Sequence, residues 1–154
     1  MFAEIRRKER EMNPLQAKEV LESGSYGILS MCGQNNYGYG VPLNYVVEES
    51  HIYFHCATDG EKLRSLAENN KVSFCVVQNA EVIAEKFTTN YKSSMAFGKA
   101  NIVNSEEEIR HAMTLILKKY SPEHMETGEK YINQAISRIK VIRIDIEHLS
   151  GKIH

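Results

Sequence analysis

The sequence predicts a mainly β, α+β protein, an antiparallel barrel of six strands with helices at its periphery. Two observations point there. Strand-like runs follow one another through short turns, whereas a parallel sheet needs a helical crossover at nearly every step. The helical stretches, by contrast, fall only at intervals between those runs. With 154 residues, 25% charged and 42% hydrophobic, the chain is expected to be a single domain over residues 1–154 that buries its own core.

Taken in order, Asn13-Pro14 reads as a helix start, asparagine as cap and proline at the first helical position, with Ala17, Val20 and Leu21 on one face and Gly24 as the stop. Tyr26 to Cys32 reads as a buried strand and Gly33-Gln34-Asn35-Asn36 as a hairpin loop. The return arm covers Tyr37 to Val47. It contains Pro42, which has no N–H for a ladder and is therefore confined to an edge, a bulge or a break in pairing. Glu48-Glu49-Ser50 turns the chain into a third strand over His51 to Ala57, and a helix begins near Lys62 with Leu63 and Leu66 on one face. Lys71 to Val77 is a fourth strand. Gln78 to Asn90 reads as a loop with one irregular turn. Tyr91 to Val103 is a long fifth strand in which Gly98 marks a bulge or a close backbone approach.

Ser105-Glu106-Glu107-Glu108 has the form of a capping box. After it, Ile109, Ala112, Met113, Ile116, Leu117 and Tyr120 recur at helical spacing, the stripe of a helix packed on a core. A further helix follows through Tyr131, Ala135 and Ile136. Val141 to Glu147 alternates apolar and charged residues, as a strand with one wet face does.

Composition excludes several classes. Nineteen basic against twenty acidic residues leave no field for a polyanion, so nucleic acid is not an expected partner. The basic cluster Arg6-Arg7-Lys8 with Arg10 is broken by Glu9 and Glu11 and reads as a solvated face. Cys32, Cys56 and Cys75 are odd in number and lack CxxC spacing, which suits reduced thiols in a cytoplasmic setting. Met1 to Arg6 holds no apolar run of signal-peptide type, and no stretch reaches the roughly twenty apolar residues of a membrane span. Neither export nor membrane insertion is expected.

The chemistry-bearing stretch is His51 to Leu66, a strand that runs through Thr58-Asp59-Gly60 into a helix start carrying Lys62. Free backbone N–H groups and an ammonium in one place make an anion site, with phosphate as the usual occupant. Along the proline-bearing arm, Val41 to Tyr45 offers backbone and apolar contacts to a planar ring. A metal site is not expected: His51 and His55 would stand about 13 Å apart along one face of a strand, and the other histidines lack partners at ligand spacing. GxSxG, GxxxxGK[ST] and GxGxxG are absent.

Several segments in order carry a family resemblance: Tyr39-Gly40-Val41-Pro42-Leu43-Asn44-Tyr45, Ile52 to Ala57 with Gly60 and Lys62-Leu63, Val72 to Val77, Phe97-Gly98-Lys99-Ala100, and Ile144 to Lys152. Together they resemble the pyridoxamine 5′-phosphate oxidase-like flavoproteins, and within them the nitroimidazole-resistance (Nim-type) reductases. The resemblance implies a split β-barrel that forms a homodimer with FMN at the interface, two per dimer. It places Val41, Pro42, Leu43 and Asn44 along the isoalloxazine edge, His55, Cys56 and Ala57 beside the ribityl chain and phosphate, and Lys62 on the phosphate. Ser93 and Ser94 fall near the ring, and His55 near the substrate as the catalytic candidate. His148 and Lys152 are candidates to reach across to the other protomer.

The resemblance further implies an FMN-dependent oxidoreductase reducing a small electrophile, a nitroaromatic such as a nitroimidazole being the example. Glu61 stands where the oxidases carry an arginine, and Gly40 and Tyr45 replace basic residues, so a vitamin B6 substrate is not implied. A non-catalytic split-barrel binder that sequesters flavin or haem, with His55 or another histidine as haem ligand, is the alternative.

Overall fold

The computed structural model describes all 154 residues. The elements in order are α1 (Pro14–Ser23), β1 (Gly27–Cys32), β2 (Gly38–Leu43), β3 (Val46–Glu48), β4 (His51–Ala57), α2 (Glu61–Glu68), β5 (Lys71–Ile83), β6 (Thr88–Ile102), α3 (Glu106–Tyr120), α4 (Met125–Ala135) and β7 (Ile139–Ile153). All seven strands lie in one sheet, ordered β2-β1-β5-β6-β7-β4-β3, and every pairing is antiparallel. The expected class holds: this is an antiparallel split barrel with peripheral helices.

Three boundaries differ from expectation. The arm over 37–47 is two strands, because Tyr45 turns inward, becomes fully buried and bonds its hydroxyl to the Leu21 carbonyl. That break raises the strand count from six to seven. The stretch 78–90 is not a loop but the far half of a long hairpin. β5 shifts register between Gln78 and Glu81, a short 3₁₀ turn over Ala84–Lys86 reverses the chain, and β6 returns from Thr88. This arm is exposed on both faces, Phe87 by 97%, so burial never imprinted the alternation by which strands are read. The last strand extends to Ile153 because it stays paired with β6 from Ile142 opposite Ile102 to Ile153 opposite Lys92. Gly98 stands at the expected bulge: the register shifts between Phe97 and Gly98, and a Cβ there would collide with the Asp145 carbonyl.

Inside the barrel Leu29, Ile52, Phe54, Phe74, Ile142 and Ile144 are fully buried. Burial of each such side chain contributes about 1.5–3 kcal/mol. A second core lies outside it, where Ala112, Met113 and Ile116 of α3 and Ile132 of α4 cover Val46, Tyr53 and Val141. β4 is thus sandwiched, with Ile52 and Phe54 facing the barrel and Tyr53 the helices. α1 starts on a full capping box: Asn13 Oδ1 accepts from Gln16 N at 2.9 Å, and Gln16 Oε1 accepts from Asn13 N at 3.2 Å.

At α3 the expected box is only half formed. Ser105 Oγ accepts from Glu108 N, but the Glu108 carboxylate does not reach back. It crosses to the sheet and accepts from Arg143 Nη1 at 2.8 and 2.9 Å and from the Tyr53 hydroxyl at 2.7 Å. Arg143 Nε meanwhile donates to Asp145 at 2.8 Å. These bonds from Arg143, then Tyr53, hold the Glu108 carboxyl below its ordinary 4.5.

The native carboxylate is the stabilising form, so its contribution is complete at neutral pH and is lost as pH falls through the depressed native value. Glu108→Gln is expected to cost about 2 kcal/mol at pH 7, because it leaves a half-buried guanidinium short of a partner. Urea midpoints of the two proteins should converge as pH falls below the ordinary carboxylate range. A difference independent of pH would remove the ionised pair as its cause.

Candidate functional site

β2 is one edge of the sheet and bonds only β1. The far end of β4 bonds β7 alone, since β3 pairs only as far as Tyr53 opposite Val46. Where these two free margins approach, a cleft of 240 Å³ opens, lined by Tyr39 and Val41 of β2, Cys56 and Ala57 of β4, and residues 59–63 at the start of α2.

The mouth of this cleft suits an anion. No side chain caps α2, leaving the N–H groups of its first turn available. Gly60 has φ 149°, which only glycine adopts without strain, and open space surrounds the position its Cβ would take. Glu61 does not fill that space, because its carboxylate accepts from Ser65 Oγ and faces Arg64 along the helix. The Lys62 ammonium lies 5.7 Å from the centre of the Phe54 ring. Its field reaches both neighbours on β4. Burial first, then Lys62, lowers the His55 imidazole, while burial raises the Cys56 thiol against the opposing pull of Lys62 and Lys140. Cleft-side Cys56 is therefore a protonated thiol, and His55 is neutral at pH 7.

The end of the β2 arm is held from behind. Tyr120 of α3 accepts the Tyr45 N–H at 3.0 Å on its hydroxyl, which also lies 2.8 Å from the Ser25 carbonyl. Lys119 donates to the Tyr45 carbonyl at 3.0 Å and sits 3.8 Å over the Tyr45 ring. Asn44 Nδ2 donates to the same Ser25 carbonyl at 3.0 Å.

Of the residues singled out from sequence, Val41, Cys56, Ala57 and Lys62 line the cleft together. Leu43 packs inward on the barrel core, while Pro42 and Asn44 are exposed along the edge strand and just beyond it. Asn44 commits its side-chain N–H to Ser25. His55 is half-buried and lies on the face of β4 opposite Cys56, outside the cleft lining. Ser93 and Ser94 sit on β6 opposite Val77 and Val76, away from this cleft, and the Ser94 hydroxyl is buried without a hydrogen-bond partner. Tyr39 and the Lys119–Tyr120 clamp were not foreseen as parts of the site. Both belong to stretches whose spacing explained them as strand or core, and nothing local marks their role.

An antiparallel split barrel with a cleft on its open seam, where an unpaired lysine meets an uncapped helix start, is the class of protein these features define. The chain belongs to the pyridoxamine 5′-phosphate oxidase family, which matches residues 14–153. No curated protein matches it. Among solved structures, it is similar to a candidate 5-nitroimidazole antibiotic resistance protein from Bacteroides thetaiotaomicron (20% identity, TM-score 0.82, covering 93% of this chain and 86% of that one). It is also similar to an FAD- and haem-binding protein from Mycobacterium smegmatis (13%, 0.77, 94% and 73%). A third similar structure is an FAD-binding protein from Mesorhizobium loti (22%, 0.65, 94% and 97%). At these identities the likeness is one of fold.

Burial pulls Lys119 down from 10.5 to about 8. The unfolded chain keeps the ordinary value, so between these two limits it binds a proton that the native state lacks, and stability should rise with pH. Denaturant midpoints from pH 8 to 10 are expected to climb relative to those of Lys119→Met. Parallel curves would mean that Lys119 titrates normally.

Proposed function

We propose that the chain is a flavin-dependent oxidoreductase that binds the FMN unit of its cofactor between two copies of itself and reduces a small electrophile, nitroaromatics such as nitroimidazoles being the substrates to test. The observation that carries this reading is the cleft in which an unpaired ammonium, an uncapped helix start and the open space over Gly60 meet beside an edge strand. A 5′-phosphate needs that donor set, and family membership supports the flavin that bears it. When bound, the flavin supplies the hydride or electron transfer.

The residues of this chain bind, orient and exclude water. Lys62 and the first turn of α2 hold the phosphate. The Pro42–Asn44 edge, pinned through Tyr45 and Ser25, presents a rigid margin to the ring. Cys56 stays a protonated thiol, and the two carboxylates at the mouth, Asp59 and Glu61, are both engaged with Arg64. Val41 and Ala57 are too small and apolar to do more than shape it. Ser93, Ser94, His148 and Lys152 lie outside this cleft, so any part they take in the site requires a second copy of the chain.

The absorption spectrum of freshly purified protein tests the reading: flavin bands that bleach with reductant and return with an acceptor are expected, and a Soret band in their place would favour a haem binder. Lys62→Ala should weaken FMN binding tenfold or more, as measured by calorimetry. Unchanged affinity would remove Lys62 from the site. Alanine at His55 should leave flavin bound and slow turnover, and full turnover with every acceptor would reduce His55 to packing.

A further inference from the structure

A depression of 540 Å³ lies elsewhere on the barrel and shares no lining residue with the cleft. Its volume is that of a small-molecule site, about 300–1,000 Å³. Leu29, Phe74 and Ala96 face the barrel interior, so their neighbours point outward. The pairing register sets these in a row: Ser30 of β1, Ser73 of β5, Phe97 of β6 and His148 of β7. Two rings beside two short hydroxyl side chains leave a step in the surface. The segment ahead of α1 walls that step. Ile5 and Met12 are buried, the Met12 N–H donates to the Gly151 carbonyl at 2.9 Å, and the Phe2 ring stacks on His148 at 4.9 Å and leans on Phe97 at 5.2 Å.

The charged side chains of the lining are Lys71 and Glu147. Glu147 is the residue left over where the register shifts, since Phe97 faces His148 while Gly98 faces Ile146. A bulge of this kind re-aims the side chain it releases. Glu147 also borders a smaller hollow beside Lys18, but Lys18 is paired with Glu22. The ion pairs of this protein engage Lys8 and Lys18 and no other lysine, and Glu147 belongs to none of them. Lys71 on β5 and Glu147 on β7 stand two strands apart, about 10 Å across the sheet, with Phe97 on the strand between them. A purely anionic aromatic molecule would bring its charge against Glu147, and a purely cationic one against Lys71. A flat apolar body with an ammonium at one end and a carboxylate at the other satisfies both. Its ring packs on Phe97 and Phe2, its ammonium meets Glu147 beside those rings, and its carboxylate meets Lys71 on the serine side.

We propose that this depression is a second ligand site, separate from the cleft, for a small zwitterion with an aromatic body, an aromatic amino carboxylate. The inference does not depend on the flavin reading.

Calorimetric titration of the full-length protein with 4-(aminomethyl)benzoate, benzylamine and benzoate tests it. The zwitterion is expected to bind at least tenfold more tightly than either singly charged probe. Glu147→Gln should bring its Kd to within about threefold of that of benzoate, and Lys71→Gln to within about threefold of that of benzylamine. Both residues are exposed, so neither exchange removes core packing. In the wild-type protein the methyl resonances of Met31 and Val72, which also line the depression, should shift with the zwitterion. Absence of binding, equal affinities for the three probes, or an unchanged Kd in both variants would overturn the site. Displacement of the zwitterion by FMN would place it in the cleft and overturn the site as well.

Discussion

Proline offers no N–H, and at position 42 that missing donor helps keep β2 at the margin of the sheet. A strand that finished its pairing on both sides would close the barrel and remove the seam. Because β2 bonds β1 alone and the end of β4 bonds β7 alone, a cleft opens between them with α2 at its mouth. The open margin is also an exposed edge of the kind natural sheets protect. Here the protection is chemical, since the proline itself blunts the edge, and geometric, since the strand stops at Leu43 and the chain dives inward at Tyr45.

An edge strand held by one neighbour would be a poor wall for a site, and the structure spends several polar groups on stiffening it. Tyr120, Lys119 and Asn44 converge on two carbonyls, those of Ser25 and Tyr45, and so join the start of β1, the end of β2 and the end of α3. The other end of α3 is tied to β4 and β7 by Glu108, Arg143 and Tyr53. One helix thereby braces the strands on either side of the seam, its apolar stripe packed on the sheet between the two anchor points. Placing the charged anchors at half-buried positions limits their desolvation cost, which in a dry core would offset much of the gain.

The cleft contains no acid–base pair and no nucleophile with a base to activate it. His55 and Cys56 beside it are pushed toward neutrality, the histidine downward and the thiol upward, while Asp59 and Glu61 at its mouth are paired with Arg64, leaving Lys62 as the charged group of its lining without an ion-pair partner. Such a place binds and orients rather than reacts, which suits a fold whose chemistry is carried by a bound ring. The helix start makes α2 the organising element, its first turn facing the seam.

Local pattern was enough to read the helices, the barrel class, the edge character of the proline arm and the strand-turn-helix that bears Lys62. Each rests on contacts within a few residues, on a period or a capping spacing that the chain carries wherever it folds. What local pattern left undetermined depends on partners far apart in sequence. Glu108 had two possible uses, its own helix start or Arg143, and only the arrival of β7 beneath α3 decided between them. The long hairpin arm escaped notice because strands are read through burial, and this one has none. Which of the expected site residues meet was likewise a matter of assembly: the pleat of β4 sends Cys56 toward the seam and His55 away from it, and β6 lies too far round the barrel to bring Ser93 and Ser94 to the same cleft.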